Sequence, residues 1–243
     1  MSACSAEVDG GGASADRGDV RTIWEPPPPS VETILEVSGV QTSFETAVSM
    51  LNAHLGLPRD LEVAHVACGT ENAFYDRGED RIRLCYEFLV SIDTLARDNP
   101  TLTEEEVFAR IRGTWLFIFF HELGHALIDY YAAPVLGGEE DAVDHLSTLL
   151  LLATAGPDVA TLAAGYWGAR SAMMVAPLDF ADAHSLDGQR FFDILCLVYG
   201  SAPEAHADLV TSNLLSEARA GECPREYALV RDSWYDVLAP WLK

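Results

Sequence analysis

The sequence has almost no lysine. Lys243 is the only one, and Lys plus Arg number 15 against 38 Asp plus Glu, a net charge of -23 at neutral pH. So negative a surface repels phosphate backbones and anionic headgroups, which argues against nucleic-acid binding and against a peripheral membrane surface. It suits a solubilising exterior, or a negative cleft that steers a basic substrate. Long hydrophobic runs are lacking as well. The longest, Thr114–Phe120 and Leu149–Ala155, fall far short of the roughly 18–20 apolar residues of a bilayer span, so no integral membrane span is expected. There is no Gly-rich phosphate loop, no Gly-x-Ser-x-Gly elbow and no C-x-x-C pair, which removes the common nucleotide, serine-hydrolase and thiolate-zinc readings. What is present is an ordinary globular composition, 49% hydrophobic and 22% charged over 243 residues, enough for a sizeable core.

Residues 1–29 are rich in Gly, Ser and Asp and end in Pro26–Pro29, which predicts a disordered tail closed by a short polyproline segment. Residues 30–243 then form a single domain, with a sheet-containing part over about 30–135 and a helical part over about 136–243. Nothing near Met1 joins a basic start to an apolar stretch, as an intact signal peptide would. Met1-Ser2-Ala3-Cys4 nevertheless resembles the end of a bacterial lipoprotein cleavage site, which would make Cys4 a lipid anchor. The other cysteines stand as two local pairs. Cys68 and Cys85 flank a hairpin pattern, and Cys196 and Cys223 bracket a helical one. Paired as disulfides they favour an extracytoplasmic compartment, secreted or anchored at the cell envelope; four reduced core thiols in a cytoplasmic protein are the alternative.

Thr42-x-x-Glu45 reads as a capping box opening a helix that stops near Gly56. Leu61–Cys68 alternates like a strand, and Asn72–Tyr75 and Ile82–Glu87 are β-prone runs around the turn Asp76-Arg77-Gly78-Glu79-Asp80. From Phe88 onward the pattern is helical, so the fold class is α+β, a small N-terminal sheet followed by a mainly helical half.

The chemistry concentrates in one helix. Thr103-x-x-Glu106 is a second capping box, and behind it Val107, Phe108, Ile111, Trp115, Ile118, Phe119 and Ala126 recur at helical spacing. Within that buried helix sits His121-Glu122-Leu123-Gly124-His125. Histidines four apart share one face and can reach a single cation, while Glu122 stands beside it, placed to take a proton from an activated water. A shuffled chain of this composition contains such a motif about 0.015 times. Gly124 costs helix stability, roughly 1 kcal/mol relative to Ala, which suggests a close approach to the backbone there. Two histidines are too few, because a catalytic zinc site takes three protein ligands. Glu140 and Asp144 share a face of the next helix, so Glu140 can ligate while Asp144 accepts the outer N–H of a ligand histidine. Glu139, or the pair Asp141 and His145, are the competing third ligands. Two histidines and a carboxylate suit zinc.

This pattern, His-Glu-x-x-His with Glu-x-x-x-Asp on a second helix, resembles the gluzincin branch of zinc metallopeptidases. The chain is more closely similar to an uncharacterised bacterial family labelled only "putative metallopeptidase", through Asn72–Tyr75, Leu84–Glu87, His121–Asp129, Glu140–Asp144, His184–Arg190, Cys196 and Tyr199-Gly200. The resemblance implies a zincin fold in which an edge strand, here Ile82–Glu87, pairs with an extended peptide or protein substrate. The step from His125 to Glu140 is shorter than in the better-understood gluzincins. Peptide hydrolysis also needs a donor for the oxyanion. His184, just before the helix carrying Gln189 and Arg190, is the candidate, with Tyr75, Tyr86 and Tyr166 as alternatives; a helix-capping role for His184 is the competing reading. The expected activity is that of a zinc-dependent peptidase. A non-catalytic envelope protein with a structural or vestigial metal would have no use for Glu122. A zinc hydrolase of a non-peptide amide is not separated from a peptidase by these residues.

Overall fold

The computed structural model describes residues 16–171 and 182–243. The remaining residues, Cys4 and its lipoprotein-like surroundings among them, lie outside the described part. The element order is β1 (Val20–Trp24), α1 (Pro29–Ser38), α2 (Val40–His54), β2 (Leu61–Val66), β3 (Ala73–Asp76), β4 (Arg81–Cys85), α3 (Tyr86–Arg97) and α4 (Glu104–Tyr131). The helical half follows with α5 (Glu139–Thr154), α6 (Pro157–Ser171), α7 (Asp187–Ser201), α8 (Asp208–Thr211) and α9 (Glu217–Leu238). The class is α+β.

The four strands form one sheet in the order β1-β2-β4-β3. β1, β2 and β4 run parallel, and β3 returns antiparallel along β4, Ala73 facing Leu84 and Asp76 facing Arg81. This corrects the expectation for the substrate-facing edge. β4, containing Ile82–Cys85, is interior, and the edge beside the helices is β3. On one side, Asp76 Oδ1 accepts the N–H groups of Gly78 (2.8 Å) and Glu79 (3.2 Å), an Asx turn that folds β3 back along β4. β2 then occupies the other side of β4.

Two further expectations are corrected. Val20–Trp24, read as part of the tail, is strand β1. Asn52 of α2 clamps it, accepting Val20 N–H (2.8 Å) and donating to Val20 C=O (3.0 Å), and Pro29 opens α1 rather than closing an extended segment. The alternation Val20-x-Thr22-x-Trp24 was short enough to be masked by its Gly- and Asp-rich flank. The helix expected to open at Thr42 begins at Val40, because Gly39 (φ 70°) ends α1 in the left-handed conformation and starts α2 at once. Thr103 caps α4 as expected: its hydroxyl accepts Glu106 N–H (3.3 Å), and Glu106 Oε2 accepts Thr103 N–H (2.7 Å). Both local cysteine pairs, Cys68–Cys85 and Cys196–Cys223, are disulfides. At the end of the chain Lys243 donates from Nζ to Asn52 C=O (2.7 Å) and pairs with Asp16 (2.8 Å), and Trp241 stacks on Tyr131.

The core lies between the sheet and α4. His65 of β2 is fully buried there, stacked on Trp24 (3.4 Å between centroids) with Phe44 edge-on at 4.5 Å. Neither ring nitrogen has a hydrogen-bond partner among the described residues. Burial therefore disfavours the charged form and pushes the imidazole down to about 3. Because the unfolded chain binds this proton near pH 6.5 and the folded one only near 3, stability should fall as pH drops through that window. The loss amounts to roughly 3 kcal/mol by pH 4. Denaturant melts at pH 7 and pH 4 of the native chain and of His65→Phe check this. The variant should lose the smaller amount by about that margin, and equal losses would remove His65 from the pH response.

Candidate metal centre

Helices α4 and α5 cross at Gly124. A Cβ there would lie 2.7 Å from Cγ1 and 2.8 Å from Cβ of Val143, closer than packed carbons come. The expected close approach to this glycine is thus made by α5. Val143 is flanked in sequence by Glu140 and Asp144, and Gly124 by His121 and His125, so one contact brings all four polar side chains together. Trp234 of α9 holds α5 from behind, donating from Nε1 to Ala142 C=O (3.1 Å).

Each histidine has a carboxylate behind it. His121 Nδ1 is 2.7 Å from Asp144 Oδ1, and His125 Nδ1 is 2.8 Å from Glu139 Oε1. With the N–H on Nδ1 of both rings, as these carboxylates favour, both Nε2 lone pairs would face inward toward a bound metal ion. They lie 3.3 Å apart, and Glu140 Oε2 completes a triangle at 3.1 Å from His121 Nε2 and 3.4 Å from His125 Nε2. Three side-chain atoms converging this closely can hold a cation. The edges of a tetrahedron around zinc, with bonds of 2.0–2.1 Å, are about 3.3–3.4 Å, so the donor set and its spacing fit that ion. Glu139 stands behind His125, and Asp141 turns away to accept the hydroxyl of Ser185 (2.7 Å). His145 faces a small void on the far side of α5 together with Asp141 and Asp193.

The surrounding charges enforce this arrangement. Burial opposes ionisation of Asp144, but Arg190 and His121 hold its carboxyl well below the ordinary range. Arg190 does so with two hydrogen bonds, Nε to Oδ2 (2.7 Å) and Nη2 to Oδ1 (2.8 Å), while its guanidinium lies over the Trp167 ring. Hydrogen bonds from His121, His125 and His184 depress Glu140 strongly. Burial works against protonating His125, yet Glu140 and Glu139 raise it to about 9, and His121 is raised as well. The pocket demands positive charge, as protons or as a metal ion.

Glu122 sits on the same helix turn, buried, and burial raises its carboxyl above the ordinary value, opposed by the nearby His121 and His125 and reinforced by Glu140. Tyr75 of β3 lines the same cleft as this acid. His121, Glu122, His125, Glu139, Glu140 and Arg190 line a cleft of about 1320 Å³ between β3 and the helical half. His184, expected as an oxyanion donor, is brought to the same carboxylate: its Nε2 is 3.0 Å from Glu140 Oε2. Ligand atoms of His121, Glu140 and His184 fall within 4.8 Å of one another. Asp182 orients the ring, accepting the His184 backbone N–H (2.9 Å) and facing Nδ1 (3.0 Å). Among the tyrosines considered with it, Tyr86 points elsewhere, donating to Glu25 C=O (2.6 Å). Tyr75 and Tyr166 line the cleft, with hydroxyls donated to Asp129 (3.0 Å) and Glu71 (3.1 Å). Sequence reasoning weighed Glu139 as a ligand and met Arg190 only within the segment His184–Arg190, so it missed their roles behind His125 and Asp144, and that of Asp182, two residues before His184.

The model of one protein family, described as "Putative metallopeptidase", matches residues 28–238. No curated protein and no solved structure matches the chain.

Gly124→Ala tests the crossing. Alanine favours the helix by roughly 1 kcal/mol, but its methyl must displace Val143 and with it Glu140. Zinc affinity, read by competition with a chelator, should fall at least about tenfold while the helical content is kept. Unchanged affinity would show that α5 can move without disturbing the site.

Proposed function

The chain belongs to that family, and from this premise we propose that it is a zinc-dependent peptidase whose metal is held by His121, His125 and Glu140. The observation that carries the reading is the triangle of Nε2, Nε2 and Oε2 atoms, each histidine backed by a carboxylate, with a buried Glu122 one residue round the helix. Zinc bound there supplies a Lewis acid that polarises a carbonyl and lowers the pKa of water toward 7. The protein's residues do the rest. Glu122 is the general base: its buried carboxylate accepts a proton from the attacking water and passes it to the leaving amine. Its raised proton affinity suits both halves of that task. Asp144 and Glu139 keep the histidine tautomers fixed, and Arg190 keeps Asp144 ionised. His184 carries a raised proton affinity through its bond to Glu140, and its Nε2–H becomes a donor for the developing oxyanion by exchanging Glu140 for the substrate while Asp182 holds Nδ1. The substrate is a peptide or protein segment laid along the outer edge of β3.

The two disulfides support an extracytoplasmic location, since such bonds persist where the surroundings are oxidising. No helix among the described residues is long and apolar enough to cross a membrane.

Two substitutions test the reading. Glu122→Gln should keep about one zinc per chain by elemental mass spectrometry and lose more than nine tenths of its turnover on a peptide library. A variant that retains more than a tenth removes Glu122 from its role. Asp144→Ala should weaken zinc binding about 10–100-fold, and an unchanged affinity would deny Asp144 its part in orienting His121.

A further inference from the structure

Ion pairs cross the cleft at both ends of β3. At the Ala73 end, Arg170 of α6 donates from Nη1 to Glu71 Oε1 (3.2 Å) and from Nε to Asp187 Oδ2 (3.1 Å). The Tyr166 hydroxyl adds a hydrogen bond to the same Glu71 oxygen (3.1 Å). Glu71 belongs to the segment that leads into β3, whereas Arg170 and Asp187 belong to the helical wall. At the other end Arg77, in the turn after β3, places Nη2 3.6 Å from Glu139 Oε1 at the start of α5. All of these side chains line the cleft. The open strand edge between them is only four residues long, about 13 Å at the usual rise per residue.

We propose that the Glu71–Arg170 and Arg77–Glu139 pairs bound the length of chain the cleft accepts, so that its substrates are short peptides of about four to six residues. The proposal rests on the peptidase reading and deepens it by naming the substrate class. A peptide within that length lies along β3 and leaves both pairs closed. A longer or internal segment must thread past at least one pair and separate its charges. Each pair is partly exposed, which sets the size of the effect. Exposed ion pairs are worth no more than about fivefold in an equilibrium, so passing one end costs up to about fivefold and passing both up to about twentyfold. Glu71 is held across the cleft by both Arg170 and the Tyr166 hydroxyl, at 3.2 and 3.1 Å, whereas Arg77 stands 3.6 Å from Glu139, so the Ala73 end should be the stricter one.

The test uses zinc-loaded full-length protein and a nested set of linear peptides sharing one central sequence, from about four to about sixteen residues, together with a head-to-tail cyclic form. kcat/KM should peak at the short members and fall by the factors above, with the cyclic peptide cut slowest. Binding of the same set to Glu122→Gln protein is measured in parallel and should show the same order. Glu71→Gln and Arg170→Met, made separately, should each raise the ratio of long-peptide to short-peptide rates about threefold or more. A flat length profile in turnover and in binding, or a ratio unchanged in both variants, overturns the proposal. Cleavage with a flat profile leaves the peptidase reading standing. Length-dependent binding without any turnover leaves the length limit standing and sinks the peptidase reading.

Discussion

The contact of Val143 with Gly124 is the constraint on which the site depends. Helices normally keep enough distance for a side chain on each surface, and here one surface has none. That missing methyl lets Glu140 reach the two imidazoles across the crossing and lets Asp144 reach behind His121. The rest of the fold keeps the two helices in that position. A capping box starts α4 in register, the sheet and α2 pack on one side of it, and α6 on the other. Trp234 fixes α5 through the carbonyl of Ala142, adjacent to Val143. The site is a property of two rigid rods and one shared point, which is why its polar groups converge to within hydrogen-bond distance before any ion is considered.

Four carboxylates, Glu122, Glu139, Glu140 and Asp144, are concentrated around two imidazoles. Uncompensated, that density of charge in a half-buried cleft would oppose folding. Compensation comes from different directions. Arg190 takes Asp144 from the α7 side, Arg77 approaches Glu139 from the sheet side, and His184 takes Glu140 from the segment before α7. Buried ion pairs of this kind contribute little net stability, but they fix orientation. The disulfides anchor the pieces that supply these partners. Cys196–Cys223 ties α7 to α9, and Cys68–Cys85 ties the segment before β3 to β4, where Glu87 also accepts the N–H groups of Cys68 and Gly69. Each closure contributes about 3 kcal/mol through the unfolded state.

Much of this was legible in the sequence because it is periodic or local. The spacing of four puts two histidines on one face whatever surrounds them, and Thr103 with Glu106 marks the start of α4 within one turn. The close approach at Gly124 could be expected from a glycine in a helix that tolerates it poorly, although its partner could not. What escaped was tertiary. Strand order decided that β3 and not β4 carries the free edge, and no pattern within Ile82–Glu87 encodes its neighbours. β1 was hidden because five residues in a Gly-rich flank become a strand only when β2 and Asn52 offer partners. The roles of Arg190 and Glu139 escaped because they depend on helices that meet far from them in sequence.

The solitary lysine has a structural consequence of its own. Its amine is engaged by Asn52 and Asp16, which places the last residue of the chain against the first described one. Reagents that attack side-chain amines, and proteases that cut after lysine, therefore find no target anywhere in the interior of the sequence. Acylation of Lys243 would remove the charge that meets Asp16 and loosen its hold on the segment before β1. Lys243 does not line the cleft, so this one lysine of the sequence is a handle suited to attachment on a surface or to a fluorophore reporting on that contact.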